Sequence, residues 1–111
     1  MQPTLKDGQY TLLKKENCCL SIDDLIVFQR DDRYLVKRIV GHPGDTFLLS
    51  QSGIFRNGIL LSPYSYDGSE KKYTLTHNQY FVIGDNHLFS EDSRHFGPVI
   101  KDHILGVLTL Y

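Results

Sequence analysis

The sequence predicts an all-β fold of coiled antiparallel sheets, or a partly open β-barrel. Apolar, β-branched and aromatic residues come in short runs, and turn-forming residues separate the runs. No segment carries a long helical period with capping residues. The chain has 111 residues, with 41% hydrophobic and 23% charged, which suits one globular domain over residues 1–111.

The predicted strands follow one another at short intervals. Asn57-Gly58 lies between two apolar pairs, which indicates a tight hairpin because the favoured turn needs positive φ at both central residues. The polar residues 63–72 predict an exposed loop, and residues 21–24 form at most a short turn of helix. In chain order, the predicted strands are 9–13, 25–28, 33–40, 46–49, 53–55, 59–61, 73–76, 79–83 and 104–110.

Charge and composition argue against several classes of protein. The formal net charge of -1 gives no electrostatic basis for binding nucleic acid. No apolar stretch approaches the roughly 18–20 residues that span a bilayer, so the chain as given is expected to be soluble. Cys18 and Cys19 are adjacent, a spacing that rarely meets disulfide geometry. The histidines show no metal-binding spacing, so neither a metal nor another cofactor is expected.

Lys37 stands out within the predicted strand 33–40. Because side chains alternate between the two faces of a strand, Lys37 shares its face with Leu35 and Ile39. An amine flanked by apolar side chains is partly removed from water, which favours the neutral form that a general base requires. The alternative is a lysine whose stem packs while its ammonium reaches water, and periodicity alone favours this alternative.

Residues 84–97 form a polar segment directly after an apolar strand. Short polar side chains hydrogen-bond back to the backbone and hold an irregular path. Asp92 and Arg94 are two residues apart and can pair, while the Ser90 hydroxyl can hold an amine in place. A decorated surface loop is the alternative, and the residues alone leave both interpretations open.

The combination of segments resembles the type I signal peptidases, membrane-tethered Ser/Lys proteases that cut signal peptides from exported proteins. Residues 37–45, KRIVGHPGD, resemble the lysine box of that family. Residues 84–97 resemble its last box, whose form is close to GDN-x-x-x-S-x-DSR-x-x-G. MQPTL at 1–5, with Gly8, resembles the serine box from the residue after the nucleophile, and DLIVF at 24–28 resembles a GDIVVF-like strand. The boxes occur in family order.

The resemblance implies a mostly β fold and a Ser/Lys dyad. Lys37 matches the general base, and Ser90 matches the hydroxyl that orients its amine. Four charged residues match supporting pairs: Arg38 with Asp85, and Asp92 with Arg94. In the family, pockets select small side chains, commonly in the pattern Ala-x-Ala. The walls of these pockets match Met1, Leu5, Leu35 and Val36.

The resemblance puts the nucleophilic serine immediately before Met1, with an upstream strand and a membrane anchor before it. The chain as given is therefore expected to lack peptidase activity. The complete protein is expected to be membrane-anchored, with its catalytic domain on the extracytoplasmic face. Its expected partners are signal peptides and the membrane surface, with no nucleic acid. Leu35 stands where an aromatic often stands, and His87 where arginine is more usual.

Two other functions compete with this hypothesis. A non-catalytic relative, such as a pilus-associated assembly factor, would share the fold without the reaction. A self-cleaving repressor-type protease would share the Ser/Lys dyad, but residues 84–97 argue against it. The residue that precedes Met1 in the natural gene separates these alternatives.

Overall fold

The computed structural model describes residues 10–14, 20–86 and 91–110, and these form two antiparallel β-sheets. The strands of the large sheet are β1 (Tyr10–Lys14), β2 (Leu25–Arg30), β3 (Arg33–Gly41), β8 (Gln79–Ile83), β9 (Val99–Ile100) and β10 (Ile104–Leu110). The small sheet contains β4 (Thr46–Ser50), β5 (Gly53–Arg56), β6 (Ile59–Leu60) and β7 (Lys71–Thr74). The spatial orders are β1-β10-β2-β3-β8-β9 and β6-β5-β4-β7. The predicted all-β fold is confirmed.

One segment differs from the sequence prediction, and another stays within it. β7 begins at Lys71, inside the predicted loop 63–72, because it pairs with β4. Residues 21–24 form a turn rather than a helix. In this turn Asp23 has a φ of 75°, and the Asp24 carboxylate accepts a hydrogen bond from the Ser21 amide at 2.8 Å. A side chain that bonds back to a nearby amide competes with helix formation.

A helix and a strand near the C-terminus were not predicted. The helix α1 (Ser93–Phe96) has four residues, too few to carry a helical period. It starts at a capping box, in which Asp92 accepts from the Arg94 amide and His95 accepts from the Asp92 amide. The strand β9 has two residues and pairs with β8. No helix within the described residues is long and apolar enough to cross a lipid bilayer.

The predicted hairpin at Asn57-Gly58 is confirmed. The φ angles of Asn57 and Gly58 are 52° and 83°, both in the left-handed region that this turn requires. Asn57 is also bonded to the start of β4: its amide donates to the Thr46 carbonyl at 2.7 Å, and its Oδ1 accepts from the Thr46 amide at 2.9 Å. The hairpin therefore has a fixed position on the small sheet.

Buried apolar side chains form two clusters, and β8 contributes to both. The first cluster contains Ile26, Phe28, Ile39, Tyr80, Val82, Val99, Ile104 and Val107. The second contains Val40, Phe47, Leu49, Ile54, Leu75, Phe81 and Ile83. Successive residues of β8 alternate between the clusters, as expected for a strand that is buried on both faces. β8 therefore joins the large sheet to the packing of the small one.

The strand β3 changes partners along its length. Residues 33–38 pair with β2, whereas Arg38, Ile39 and Gly41 pair with β8, with an irregularity before Gly41. A side chain at Gly41 would overlap the ring of Phe47, so this close approach requires glycine. Within the described part of the chain, residues 33–36 have no strand partner on the β8 side.

Candidate active site

Lys37 lies on β3 with its whole side chain buried, at an exposed fraction of 0%. Its cross-strand partner on β2 is Ile26, which is equally buried. On the same face of β3, Ile39 belongs to the first apolar cluster and Leu35 packs against it. The predicted alternation is confirmed, and the alternative in which the ammonium reaches water is wrong. Lys37 is next to Arg38, which pairs with Ile83, the last residue of β8.

Arg38 and Asp85 form the predicted ion pair on the other face of β3. Nε and Nη2 of Arg38 donate to the two carboxylate oxygens of Asp85 at 2.8 and 2.7 Å, and Nη1 donates to the Asp23 carbonyl at 2.7 Å. The hydrogen bonds from Arg38 hold the pKa of Asp85 below its usual value, and the same bonds raise the pKa of Arg38. The pair attaches the chain just after β8 to the residue beside Lys37.

Asp92 and Arg94 form the second predicted pair, and it is buried. Oδ1 and Oδ2 of Asp92 accept from Nε and Nη2 of Arg94, each at 2.9 Å. Oδ2 also accepts from the Gly84 amide at 3.1 Å, and Nη1 of Arg94 donates to the Ser65 carbonyl at 3.1 Å. Asp92 has an exposed fraction of 0% and Arg94 of 7%, so a decorated surface loop is the wrong description of these residues.

Ser93 has a role that the sequence analysis did not predict. Its side chain is fully buried, and its Oγ accepts from the Val82 amide at 2.9 Å. This bond attaches α1 directly to β8. The segment that leaves β8 at Gly84 is therefore bonded back to the same strand at its other end.

Two further contacts link the β2–β3 hairpin to residues 91–96, and the sequence analysis missed both. Nη2 of Arg33 donates to Oε1 of Glu91 at 2.8 Å. The guanidinium carbon of Arg30 lies 4.1 Å from the centre of the Phe96 ring. Arg33 and Glu91 are 58 positions apart, so no local pattern could have shown that they meet.

Asp45 is a second buried acid. Its carboxylate accepts from the His42 amide at 3.0 Å, from Nε of Arg56 at 2.7 Å and from Nδ2 of Asn57 at 3.0 Å. Burial by itself would raise the pKa of Asp45, but these hydrogen bonds outweigh it and the pKa is below its usual value. Asp45 thus attaches the turn after β3 to the small sheet.

Three predicted site residues, Met1, Leu5 and Ser90, lie outside the described residues, as do His87, Cys18 and Cys19. The hydrogen bond expected between Lys37 and Ser90 therefore stays a prediction. Leu35 and Val36, the other predicted pocket residues, are half-buried on opposite faces of β3. Within the described residues, no three His, Cys, Asp or Glu side chains are grouped to hold a metal ion.

Comparison with known proteins identifies the family. The family model described as "Signal peptidase, peptidase S26" matches residues 1–111. The chain belongs to this family. Signal peptidase I V of Bacillus subtilis (strain 168) is 31% identical to it over 131 aligned residues, which cover 98% of this chain and 78% of that protein. The probable signal peptidase I-2 of Synechocystis sp. is 30% identical, and the match covers 96% of this chain and 56% of that protein.

A solved structure has the same fold. The crystal structure of a signal peptidase I from Enterococcus faecalis V583 superposes with a TM-score of 0.62 at 27% sequence identity, covering 80% of this chain and 96% of that one. The resemblance to signal peptidases inferred from the sequence boxes is therefore confirmed at the level of family and fold.

Proposed function

We propose that this chain is the single catalytic domain of a signal peptidase I-type serine endopeptidase that removes signal peptides from exported preproteins. Lys37 is the general base, and the nucleophile is a serine immediately before Met1. The observation that carries the proposal is the complete burial of Lys37 beside the end of β8, in a member of the signal peptidase family. A fully buried lysine is rare in proteins, so its position in this domain points to a role beyond packing.

The reaction follows from the chemistry of an amine and a hydroxyl. Removal of an amine from water favours its neutral form, which can accept a proton. Lys37 takes the serine proton as the serine oxygen attacks the scissile carbonyl, and backbone amide and hydroxyl groups of the serine box stabilise the oxyanion. Lys37 then gives the proton to the leaving amine, and an acyl-enzyme remains. Water, deprotonated by the same amine, releases the cleaved signal peptide.

The anchoring of residues 84–97 supports a positioning role for this segment. The bidentate Arg38–Asp85 pair holds its start beside Lys37, and Asp92 bonds its later part back to Gly84. In the proposal, this arrangement presents the Ser90 hydroxyl to the Lys37 amine. Asp85, Arg38, Asp92 and Arg94 thus support the site without taking part in the proton transfers.

The proposed substrate is an extended peptide along β3. Extended peptides add to free strand edges through main-chain hydrogen bonds, while alternate side chains enter pockets. Residues 33–36 offer such an edge on the β8 side within the described part of the chain. Leu35 and Val36, half-buried on opposite faces, supply pocket walls for small side chains, and Met1 and Leu5 supply the remaining walls.

The setting of the reaction is part of the proposal. Exported preproteins carry their signal peptides to the membrane, so we propose that the complete protein is membrane-anchored with this domain on the extracytoplasmic face. The membrane surface is then its second partner.

The test compares peptidase activity in three proteins. They are this chain, the chain extended upstream in its natural sequence through a serine before Met1, and the extended chain with Lys37→Met. Each is assayed with an Ala-x-Ala peptide in detergent. We expect cleavage only by the extended chain, with Lys37→Met lowering kcat/KM by about 10³-fold or more. Lys37→Arg should be as inactive, because a guanidinium does not deprotonate near neutral pH.

Lys71→Met provides the matched control, because Lys71 is a strand lysine that is exposed. This variant should keep the activity of the extended chain. Undiminished cleavage by the Lys37→Met variant would overturn the mechanism. A folded extended chain that carries the serine and does not cleave would favour the non-catalytic assembly factor instead. A natural sequence with no serine before Met1 would lead to the same conclusion.

A further inference from the structure

Two arginines lie opposite each other at the end of the β2–β3 hairpin. Arg30 and Arg33 are cross-strand partners, and like charges in such a pair repel one another. Each guanidinium has a separate partner in residues 91–96. Arg33 is bonded to Glu91 at 2.8 Å, and Arg30 lies over the ring of Phe96 at 4.1 Å. We name these four residues the arginine clasp.

The arginine clasp lies on the face of the sheet that carries Lys37. Arg33 and Lys37 are four residues apart on β3, so their side chains point to the same face, about 13 Å apart along the strand. On β2, Arg30 shares its face with Phe28, whose ring meets that of Phe96 edge-on at 6.2 Å. Residues 91–96 therefore cross the end of the surface that contains the Lys37 side chain.

Asp85 and Glu91 are each bonded to a residue of β3. Asp85 is bonded to Arg38, immediately after Lys37, and Glu91 is bonded to Arg33, before it. Lys37 lies between these attachment points along β3. Asp92 is bonded to Gly84, directly after β8. The arginine clasp holds residues 91–96 to the β2–β3 hairpin.

We propose that Arg33 and Arg30 are positioning residues for the reaction at Lys37. The arginine clasp holds residues 91–96 against the β2–β3 hairpin, and so sets the position of the preceding segment relative to the Lys37 amine. This inference rests on the proposed function, in which that segment supplies Ser90. Neither arginine touches the reacting atoms, and both act through Glu91 and Phe96.

Because the ion pair of the arginine clasp is exposed, we expect its loss to affect activity rather than stability. The side chains of Arg33 and Glu91 are 57% and 59% exposed, and ion pairs of this kind add little to global stability. Loss of either contact of the arginine clasp should therefore lower kcat by about two- to five-fold, the factor expected for one exposed ion pair or cation–π contact. The unfolding midpoint should not fall measurably. The KM of a peptide bound along β3 should stay unchanged.

The experiment uses the extended, serine-containing protein and a charge exchange. Arg33→Gln and Glu91→Gln should each lower kcat, and the double variant should be no worse than either single one because both remove the same contact. The exchange Arg33→Glu with Glu91→Arg should recover kcat. High salt should lower the kcat of the parent protein towards that of the single variants, which should themselves respond weakly to salt. The factor by which Arg30→Gln lowers kcat should be nearly the same at low and high salt.

Asp67→Asn, at another exposed acid, is the matched control and should leave kcat and its salt dependence unchanged. The proposal is overturned if Arg33→Gln keeps the parent kcat at low salt, or if the exchange variant fails to recover it.

Failure of the proposed function is a separate outcome, because it would appear as inactivity of the parent protein. In that case amide exchange tests the clasp in the chain as given. The His95 and Phe96 amides, both bonded to Asp92, should exchange about two- to five-fold faster in Arg30→Gln and Arg33→Gln, and unchanged exchange would refute it.

Discussion

Lys37, Asp45 and Asp92 are ionisable side chains buried within the described core. The two acids accept hydrogen bonds from arginines and from backbone amides, which stabilise a carboxylate out of water. Lys37 shares its strand face with two apolar residues, Leu35 and Ile39. The acids therefore serve the architecture, whereas the proposed function gives Lys37 a chemical role.

This difference predicts that Lys37 is more important for activity than for stability. Lys37→Met keeps the unbranched apolar stem that lies beside Leu35 and Ile39, so we expect the free energy of unfolding to change by less than about 2 kcal/mol. The comparison is urea unfolding of this chain with and without the substitution. A loss of more than about 2 kcal/mol would show that the lysine is a structural residue.

Asp45 predicts a defined pH dependence of stability. Because its folded pKa is below its unfolded value of about 3.9, the stabilisation is present above that pH and is lost as pH falls through the folded pKa. Asp45→Asn should cost about 1–3 kcal/mol near pH 7, since Arg56 loses its charged partner. The difference between the two proteins should shrink below pH 4. A difference in unfolding free energy that is constant from pH 7 to pH 3 would contradict the assignment.

At the scale of the elements, the end of β3 requires glycine at position 41 because the Phe47 ring lies close to the backbone there. An unusual backbone conformation is not the reason. A Cβ at Gly41 would overlap the Phe47 ring, which stacks on Phe81 with ring centres 4.3 Å apart. Gly41→Ala should therefore cost about 1–3 kcal/mol through overpacking. Gly44, in the following turn, has a φ of 94° and open space around it, so Gly44→Asn should be tolerated better. Thermal unfolding that ranks the two variants in the opposite order would show that this explanation is wrong.

The link between α1 and β8 depends on one hydroxyl. Ser93→Ala would leave the buried Val82 amide without its acceptor, at an expected cost of about 1–3 kcal/mol. Ser52→Ala, at an exposed position, is the control and should change stability by less than about 0.5 kcal/mol. Urea unfolding measures both. Equal midpoints for Ser93→Ala and the parent protein would contradict a contribution of this bond.

At the scale of the whole molecule, β8 couples the two apolar clusters. Tyr80 and Val82 belong to the first cluster, while Phe81 and Ile83 belong to the second, so neither cluster can lose β8 without affecting the other. We expect one cooperative unfolding transition. Ile39→Val in the first cluster and Ile54→Val in the second should each cost about 0.5–1.5 kcal/mol and shift that transition without splitting it. Circular dichroism and tyrosine fluorescence that give different midpoints in either variant would show two separately unfolding units.

Much of the fold was predictable because its signals are local. The Asn57-Gly58 turn needs only two residues with positive φ, and β3 carries its alternation within one strand. The Asp92–Arg94 pair was indicated by its spacing and by the family resemblance, and the Arg38–Asp85 pair by the resemblance, which is itself a property of the sequence. Four-residue α1 and two-residue β9 were missed, because elements this short depend on contacts made by the surrounding chain.

The sequence by itself determined most of the strands, the Asn57-Gly58 hairpin and the candidate base, since alternation and turn chemistry act over a few neighbouring residues. The tertiary structure decided whether Lys37 reaches water, because burial of a strand face depends on which strands and clusters cover it. It also decided that Arg33 meets Glu91 and that Ser93 meets Val82. Such contacts join residues far apart in the chain, and no periodicity describes them. They exist only once the sheets have packed and brought the two segments within hydrogen-bond distance.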